Sequence, residues 1–353
     1  MTEQSASPHH IKFEKSVHAL LMMVGAHFCF SIMIALIKAA QQLQYAKFPN
    51  LPATARFGTW ESVLFRCLPM TFICLIVFIK RTNQGKKHPR LTLNEIRWLI
   101  TRGGIGAVSM ACFFYGTLHI PIALASLFAN SSVFMIGLLG HYFLSERMTP
   151  ARAFFALAGF LGVTLVLGTG FLPAQGTTTV GHASEHITSA QRATDYLIAF
   201  LSGVLASIAY FSVRKMKKVP GNTIILSLSL SGVFLALIAG LVHEPLSIPD
   251  DPAVLALLCL SGIPAVIAQY LMTWSFQSAE AGFVALGQYT GPVFAAILGI
   301  VAFDESLSAL QWLGAVVTLC FGVMMPLVEL RKGNKRESTE GSACAPEERN
   351  PAT

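Results

Sequence analysis

Charged residues occupy only 12% of the 353 positions, about half the ~25% of an ordinary soluble domain. That deficit excludes a water-soluble globule, because too few ionic side chains exist to cover its surface. Paired cysteines are also lacking. The seven are Cys29, Cys67, Cys74, Cys112, Cys259, Cys320 and Cys344; their number is odd, none form a CxxC, and six fall in apolar runs. They read as small buried hydrophobes, not as a disulfide or metal framework. There is no GxxxxGK[ST] loop, no GxSxG elbow and no HExxH pair, which argues against a nucleotide-driven pump or an intramembrane hydrolase. No cofactor is expected, and no enzyme.

What is abundant is apolar sequence: 54% of residues are hydrophobic and the mean hydropathy is +0.60. Crossing a bilayer takes runs of ~17–25 such residues. Ten runs qualify, near 17–39, 60–79, 98–117, 122–143, 153–172, 195–213, 222–242, 253–275, 281–303 and 309–330. Lipid offers no partner to a free backbone group, so the runs are predicted to be helices.

The net charge of +7 is unevenly placed. With the N-terminus inside, nineteen Lys and Arg fall in cytoplasmic segments and three (Lys47, Arg56 and Arg192) outside. This is the positive-inside bias of a membrane protein, and no nucleic-acid-binding pattern accompanies it. Both termini are expected in the cytoplasm. The reading is an N-terminal segment 1–16, a five-helix unit 17–172, an extracytoplasmic linker 173–194, a second five-helix unit 195–330 and a polar tail 331–353.

The two units carry the same punctuation at an offset of 159. Leu127, Leu139-Gly140 and Glu146 recur as Leu286, Leu298-Gly299 and Glu305, Thr149 answers to Ser308, and Gly103 to Gly262. Five spans per unit turn the second upside down relative to the first. The expected fold is therefore an all-α integral membrane protein with ten transmembrane helices as two inverted five-helix repeats.

Pro121 to Thr149 (PIALASLFANSSVFMIGLLGHYFLSERMT) and Ala279 to Ser308 (AEAGFVALGQYTGPVFAAILGIVAFDESLS) resemble the latter part of an EamA-type repeat. Lys38 and Phe65-Arg66 are similar to that family's opening spans. The resemblance covers about 17–330 and implies membership of the drug/metabolite transporter superfamily. Two features depart from the pattern: Ser132-Val133 stands where the second unit has Gly291-Pro292, and the connector Gln41 to Thr59 is long.

A solute site is expected near the midplane, where helices are interrupted. Thr290-Gly291-Pro292 and Gly262-Ile263-Pro264 are the predicted breaks, since proline removes a backbone donor. The candidate substrate-binding residues beside them are Asn130, Ser131, Tyr115, Gln269, Tyr270, Trp274, Gln288, Tyr289 and Arg66. Arg66 either holds an anionic group of the solute or pairs with Glu61. His27 is the candidate proton-coupling residue, because imidazole titrates near neutral pH; a neutral packing role is the alternative. Lys38 is expected to snorkel, and Glu146 and Glu305 to be structural. His182 and His186 flank Glu185 at helical spacing but have no third ligand, so no metal site is expected.

These observations favour a secondary transporter moving a small metabolite by alternating access, coupled to protons or to exchange, in a bacterial inner membrane. S-adenosylmethionine and an amino acid are the solutes considered, the aromatics suiting a flat or cationic one. The partners are the metabolite and the lipid bilayer, and the sequence allows a homodimer. An intramembrane enzyme or a non-transporting sensor is the rival reading, but neither the motifs nor a soluble partner domain is there.

Overall fold

The computed structural model describes residues 8–52, 55–84, 91–144, 150–169, 189–242, 245–305 and 307–317, with Cys320 and Met324. All regular structure among them is helical. Glu146, the linker histidines and the C-terminal tail lie outside the described residues.

The chain runs through α1 (Pro8–Lys47), α2 (Thr59–Asn83), α3 (Leu93–His119), α4 (Ile122–Ala129), α5 (Ser132–Leu144), α6 (Pro150–Thr169), α7 (Ser189–Lys215), α8 (Gly221–Val242), α9 (Pro252–Ser278), α10 (Ala281–Ala285), a 3-10 segment Leu286–Tyr289, and α11 (Thr290–Phe303). Residues 309–317 are again helical. Among the described residues, eight stretches are long and apolar enough to cross a membrane, Ile122–Phe143 and Ala281–Phe303 included. Large apolar side chains face outward, as lipid requires: Phe72 of α2, Phe234 and Leu241 of α8 and Ile263 of α9 are each more than half exposed.

Helix starts follow local chemistry. Thr92 and Glu95 form a reciprocal capping box at α3, and Asp251 caps α9 by accepting from Ala253 and Val254, with Pro252 in the first turn. Asp304, at φ 50°, ends α11 in the left-handed region that Asp tolerates. That turn lets the Glu305 N–H donate to the Gly299 carbonyl at 3.1 Å.

Helices α1 and α9 pack along one another, as do α3 and α7, and α2 lies on α8. Lipid gives helices no hydrophobic reason to associate, so close approach through small residues counts most. A methyl at Gly116 of α3 would stand 2.9 Å from the Ala199 Cβ of α7. At Gly203 of α7 it would run into the Phe128 and Ala129 carbonyls and the Ser131 hydroxyl where α4 gives way to α5.

Two apolar clusters are stacked along α1. One gathers Met23, Phe276, Val284 and Leu286; the other gathers Met33, Ile37, Phe114 and Leu258. Phe30 touches both, and the level between them holds the polar residues described next.

Three expectations change. Helix α9 continues unbroken through Pro264; the Gly-Ile-Pro serves packing, since a methyl on Gly262 would lie 2.6 Å from the Pro69 Cγ of α2. Lys38 does not snorkel. It is 2% exposed and its ammonium pairs with Glu305, whose two oxygens also accept the Ile122 N–H at 3.1 and 3.0 Å. Arg66 does not pair with Glu61, because that carboxylate takes the N–H groups of Ser247 (2.6 Å) and Gly58 (2.8 Å).

Candidate solute cavity

Two spans are interrupted at one level. In the first, α4 stops at Ala129 because Asn130 turns its side chain onto the backbone: Nδ2 donates to the Ser126 carbonyl at 2.7 Å. The next N–H groups reach back only three residues, Ser131 to Phe128 and Val133 to Asn130, before α5 resumes. Such side-chain competition is why Asn terminates helices. In the second, Leu286–Tyr289 tightens to a 3-10 turn. Pro292 follows in the first turn of α11, where its missing N–H has no intrahelical partner to lose. The breaks meet where the Ser132 hydroxyl donates to Gln288 Oε1 at 3.3 Å.

Beside this junction lies a cavity of about 90 Å³, room for several waters at roughly 10–15 Å³ each. His27 and Ser31 of α1, Arg66 of α2, Arg102 of α3, Asn130 and Gln288 supply its principal polar wall. The Arg66 guanidinium lies over the rings of Phe30 (5.1 Å) and Phe114 (5.7 Å), and donates to Gln269 Oε1 at 3.4 Å. That of Arg102 lies over Tyr210 at 5.4 Å. Both arginines are under a tenth exposed, and the Nε of each makes no hydrogen bond.

Among the described residues no Asp or Glu lines the cavity, and the ion pairs are Lys38–Glu305 and Lys47–Asp251, both elsewhere. An uncompensated buried charge costs several kcal/mol even after relaxation. Stacking on aromatic faces returns roughly 2 kcal/mol per desolvated cation, which leaves the guanidiniums undersupplied with negative charge. His27 Nε2, Asn130 Oδ1 and Gln288 Nε2 are likewise buried without a partner. Natural interiors leave few such atoms unsatisfied, and a cluster of them around one cavity calls for an occupant.

Of the residues singled out from the sequence, His27, Arg66, Asn130 and Gln288 line this cavity. Gln269 touches it through Arg66 and bonds to Thr273 at 3.4 Å. The others point elsewhere. Ser131 is packed on Gly203, and Tyr289 belongs to the apolar cluster around Met23. Tyr115 donates to Asp195 at 2.8 Å and stacks on His119. Tyr270 bonds to Asn222 at 2.6 Å. Trp274 is nearly half exposed, edge-on to His18.

Sequence reasoning missed Arg102, Ser31 and Tyr210. Arg102 fell at the edge of a run begun at residue 98, whereas α3 begins at Leu93, which puts Arg102 about 14 Å into the helix at 1.5 Å per residue. The Thr92-x-x-Glu95 capping box was the signal that could have moved the start back and put the charge at depth.

Interrupted apolar helices beside a cavity with a cluster of polar side chains in its wall are the build of a membrane transporter. The chain belongs to the EamA-like transporter family, whose model matches residues 17–168 and 194–325. It is similar to a pseudopaline exporter of Pseudomonas aeruginosa, at 29% identity over 84% of this chain and 92% of that one. A riboflavin transporter of Rhizobium johnstonii is 25% identical over 91% and 95% of the two chains. An uncharacterized transporter of Helicobacter pylori is 23% identical over 89% and 96%. A crystal structure at 20% identity superposes with a TM-score of 0.57, covering 88% of this chain and 98% of its own; this similarity carries the fold alone. The protein is a membrane transporter, and its drug/metabolite superfamily membership agrees with the resemblance seen in the sequence.

Proposed function

We propose that the protein is a secondary active transporter that carries a small metabolite across a bacterial cytoplasmic membrane by alternating access, with the polar cavity as the solute site. The observation that carries this reading is the position of the cavity. It adjoins the touching breaks of two membrane spans and is flanked along α1 by an apolar cluster on each side. A site near the middle of the bilayer, served by interrupted helices, is what rocking one half against the other would expose to each face in turn.

The reading includes ten helices in two inverted units, 17–172 and 195–330, joined by 173–194, with both termini cytoplasmic. Helix pairing supports it. An exchange of units carries the α1–α9 pair onto the α7–α3 pair, and both are extensive. Helix α4 meets α11 while α5 meets α10, so the two broken spans lie antiparallel, as inversion requires. Coupling is to a proton, through His27 in the cavity wall, or to exchange of a second solute. The relatives' names specify different solutes, so the substrate is argued from the cavity. Of the two solutes considered from the sequence, both offer an α-carboxylate to the arginines, but S-adenosylmethionine also brings a sulfonium cation. Three of the aromatic faces that could have received a cation, those of Phe30, Phe114 and Tyr210, already lie under Arg66 and Arg102.

The test is flux into proteoliposomes of purified protein, with a broad panel of labelled amino acids, organic acids and organic cations, with and without a pH gradient and an internal counter-solute. Saturable uptake or exchange of at least one solute is expected. Protein-free rates for the entire panel under all conditions would overturn the reading.

A further inference from the structure

We propose that Arg66 and Arg102 form a two-point oxyanion site, and that the solute is a small carboxylate of net negative charge that also carries a hydrogen-bond donor. The inference rests on the transporter reading and specifies its substrate class.

Two guanidiniums from α2 and α3 contribute two positive charges to the wall, and among the described residues no carboxylate lines the cavity with them. Each retains an unpartnered N–H at Nε, and guanidinium forks match the planar geometry of a carboxylate. Gln288 Nε2 adds a third unpartnered donor, from the break between α10 and α11. Against these stands Asn130 Oδ1, an unpartnered acceptor whose orientation is fixed because Nδ2 is held by the Ser126 carbonyl at 2.7 Å. Donors outnumber acceptors whichever role His27 Nε2, the remaining unpartnered atom of the wall residues, takes, and the complement is an oxyanion-rich solute with one hydroxyl or ammonium group for Asn130.

The same count disfavours a cation. Phe30, Phe114 and Tyr210, the aromatic faces closest to the charged groups, already lie under the chain's own guanidiniums. A cationic solute would bring a third positive charge into a cavity with no anion. An oxyanion could reside on a carboxylate or on a phosphate, so both belong in the test.

The full chain, reconstituted in proteoliposomes, is assayed for exchange of labelled malate, aspartate, succinate, inorganic phosphate, lysine and choline. Malate and aspartate should move in preference to lysine and choline. Succinate, which lacks the donor, should move more slowly than malate. Arg66→Gln and Arg102→Gln should each reduce malate exchange roughly 10- to 100-fold, the weight of a charged hydrogen bond. Asn130→Ala, which withdraws the acceptor without placing a charge against the Ser126 carbonyl, should also reduce it and narrow the difference between malate and succinate. Lysine or choline exchange that matches or exceeds that of malate, unaffected by the three substitutions, would overturn the substrate class while leaving transport intact. Phosphate exchange without malate exchange would overturn the carboxylate.

If none of these six solutes moves, the transport reading still stands or falls on the broad panel, and thermal melting of the detergent-purified protein decides the site. Malate raising the melting temperature of the wild type but not of Arg102→Gln supports it. No shift with malate, or an equal shift with chloride, overturns it.

Discussion

Lys38 and Glu305 stand 267 positions apart and form a buried ion pair. The carboxylate also accepts the first N–H of α4, at Ile122. One anion thus ties α1, the start of a broken span and the turn after α11. Taking one partner away strands the other charge, which for buried pairs costs about 3–5 kcal/mol, whereas replacing both with apolar groups is often neutral. Lys38→Met should therefore lower the melting temperature of the purified protein sharply, and Lys38→Met with Glu305→Gln should recover most of the loss. A double variant as unstable as the single one would show that the pair does not act as a unit.

The glycines make a second prediction, because their surroundings differ so plainly. Gly203→Ala forces a methyl into the carbonyls of Phe128 and Ala129, the latter at 3.0 Å. Overpacking of this kind costs about 1–3 kcal/mol, and backbone atoms at a helix break have little room to retreat. Gly104→Ala meets nothing within 4 Å and should be close to neutral. Melting of the two variants side by side checks the packing of α7 on the α4–α5 break.

Tyr115 gives a third. Its hydroxyl donates to Asp195, which is 3% exposed, and so joins α3 to α7 away from the cavity. Tyr115→Phe leaves a buried acceptor without its donor, at about 1–3 kcal/mol. The expected outcome is lower stability with exchange per folded carrier retained. A folded variant with wild-type stability and lost exchange would instead put Tyr115 in the solute path.

Asp251 supplies a pH dependence. The Lys47 ammonium, at 2.8 Å, holds its carboxyl below the ordinary carboxylate range, helped by the N–H groups of Val254 and Ala253. A carboxyl lowered on folding contributes stability at pH values above its unfolded range, and the contribution is lost as pH falls through and below it. The site is at the surface, so the effect is small. Asp251→Asn should lower the melting temperature slightly at pH 6, and the difference from wild type should shrink towards pH 3.

The membrane character of the chain was plain in its sequence because scarcity of charge and run length are one-dimensional properties. The offset of 159 residues also led to Asn130 and Gln288, which belong to the two breaks, because a repeat marks equivalent depths in paired helices. What sequence could not give is which side of a helix a residue faces. Tyr270 and Trp274 are one and five positions beyond Gln269, yet they point to Asn222 and to His18 while Gln269 touches Arg66. Arg102 was lost differently: the apolar run starts later than the helix, because Asn94, Glu95 and Arg97 interrupt the first turns, which are helical behind the Thr92 cap. The Lys38–Glu305 pair joins opposite ends of the sequence, and a partner at that separation leaves no local trace.

The central claim is that solute passes through the cavity beside the two breaks, and it can be tested without knowing the solute. Ala206 of α7 lines the cavity and is 7% exposed, while Ala46 of α1 lines a separate groove with Leu298 and Phe303. Exchange by folded, reconstituted Ala206→Trp and Ala46→Trp should be compared with wild type, using whichever panel solute moves fastest. The account predicts that the indole at 206 abolishes exchange and that the one at 46 leaves it unchanged. Wild-type exchange by Ala206→Trp would contradict it.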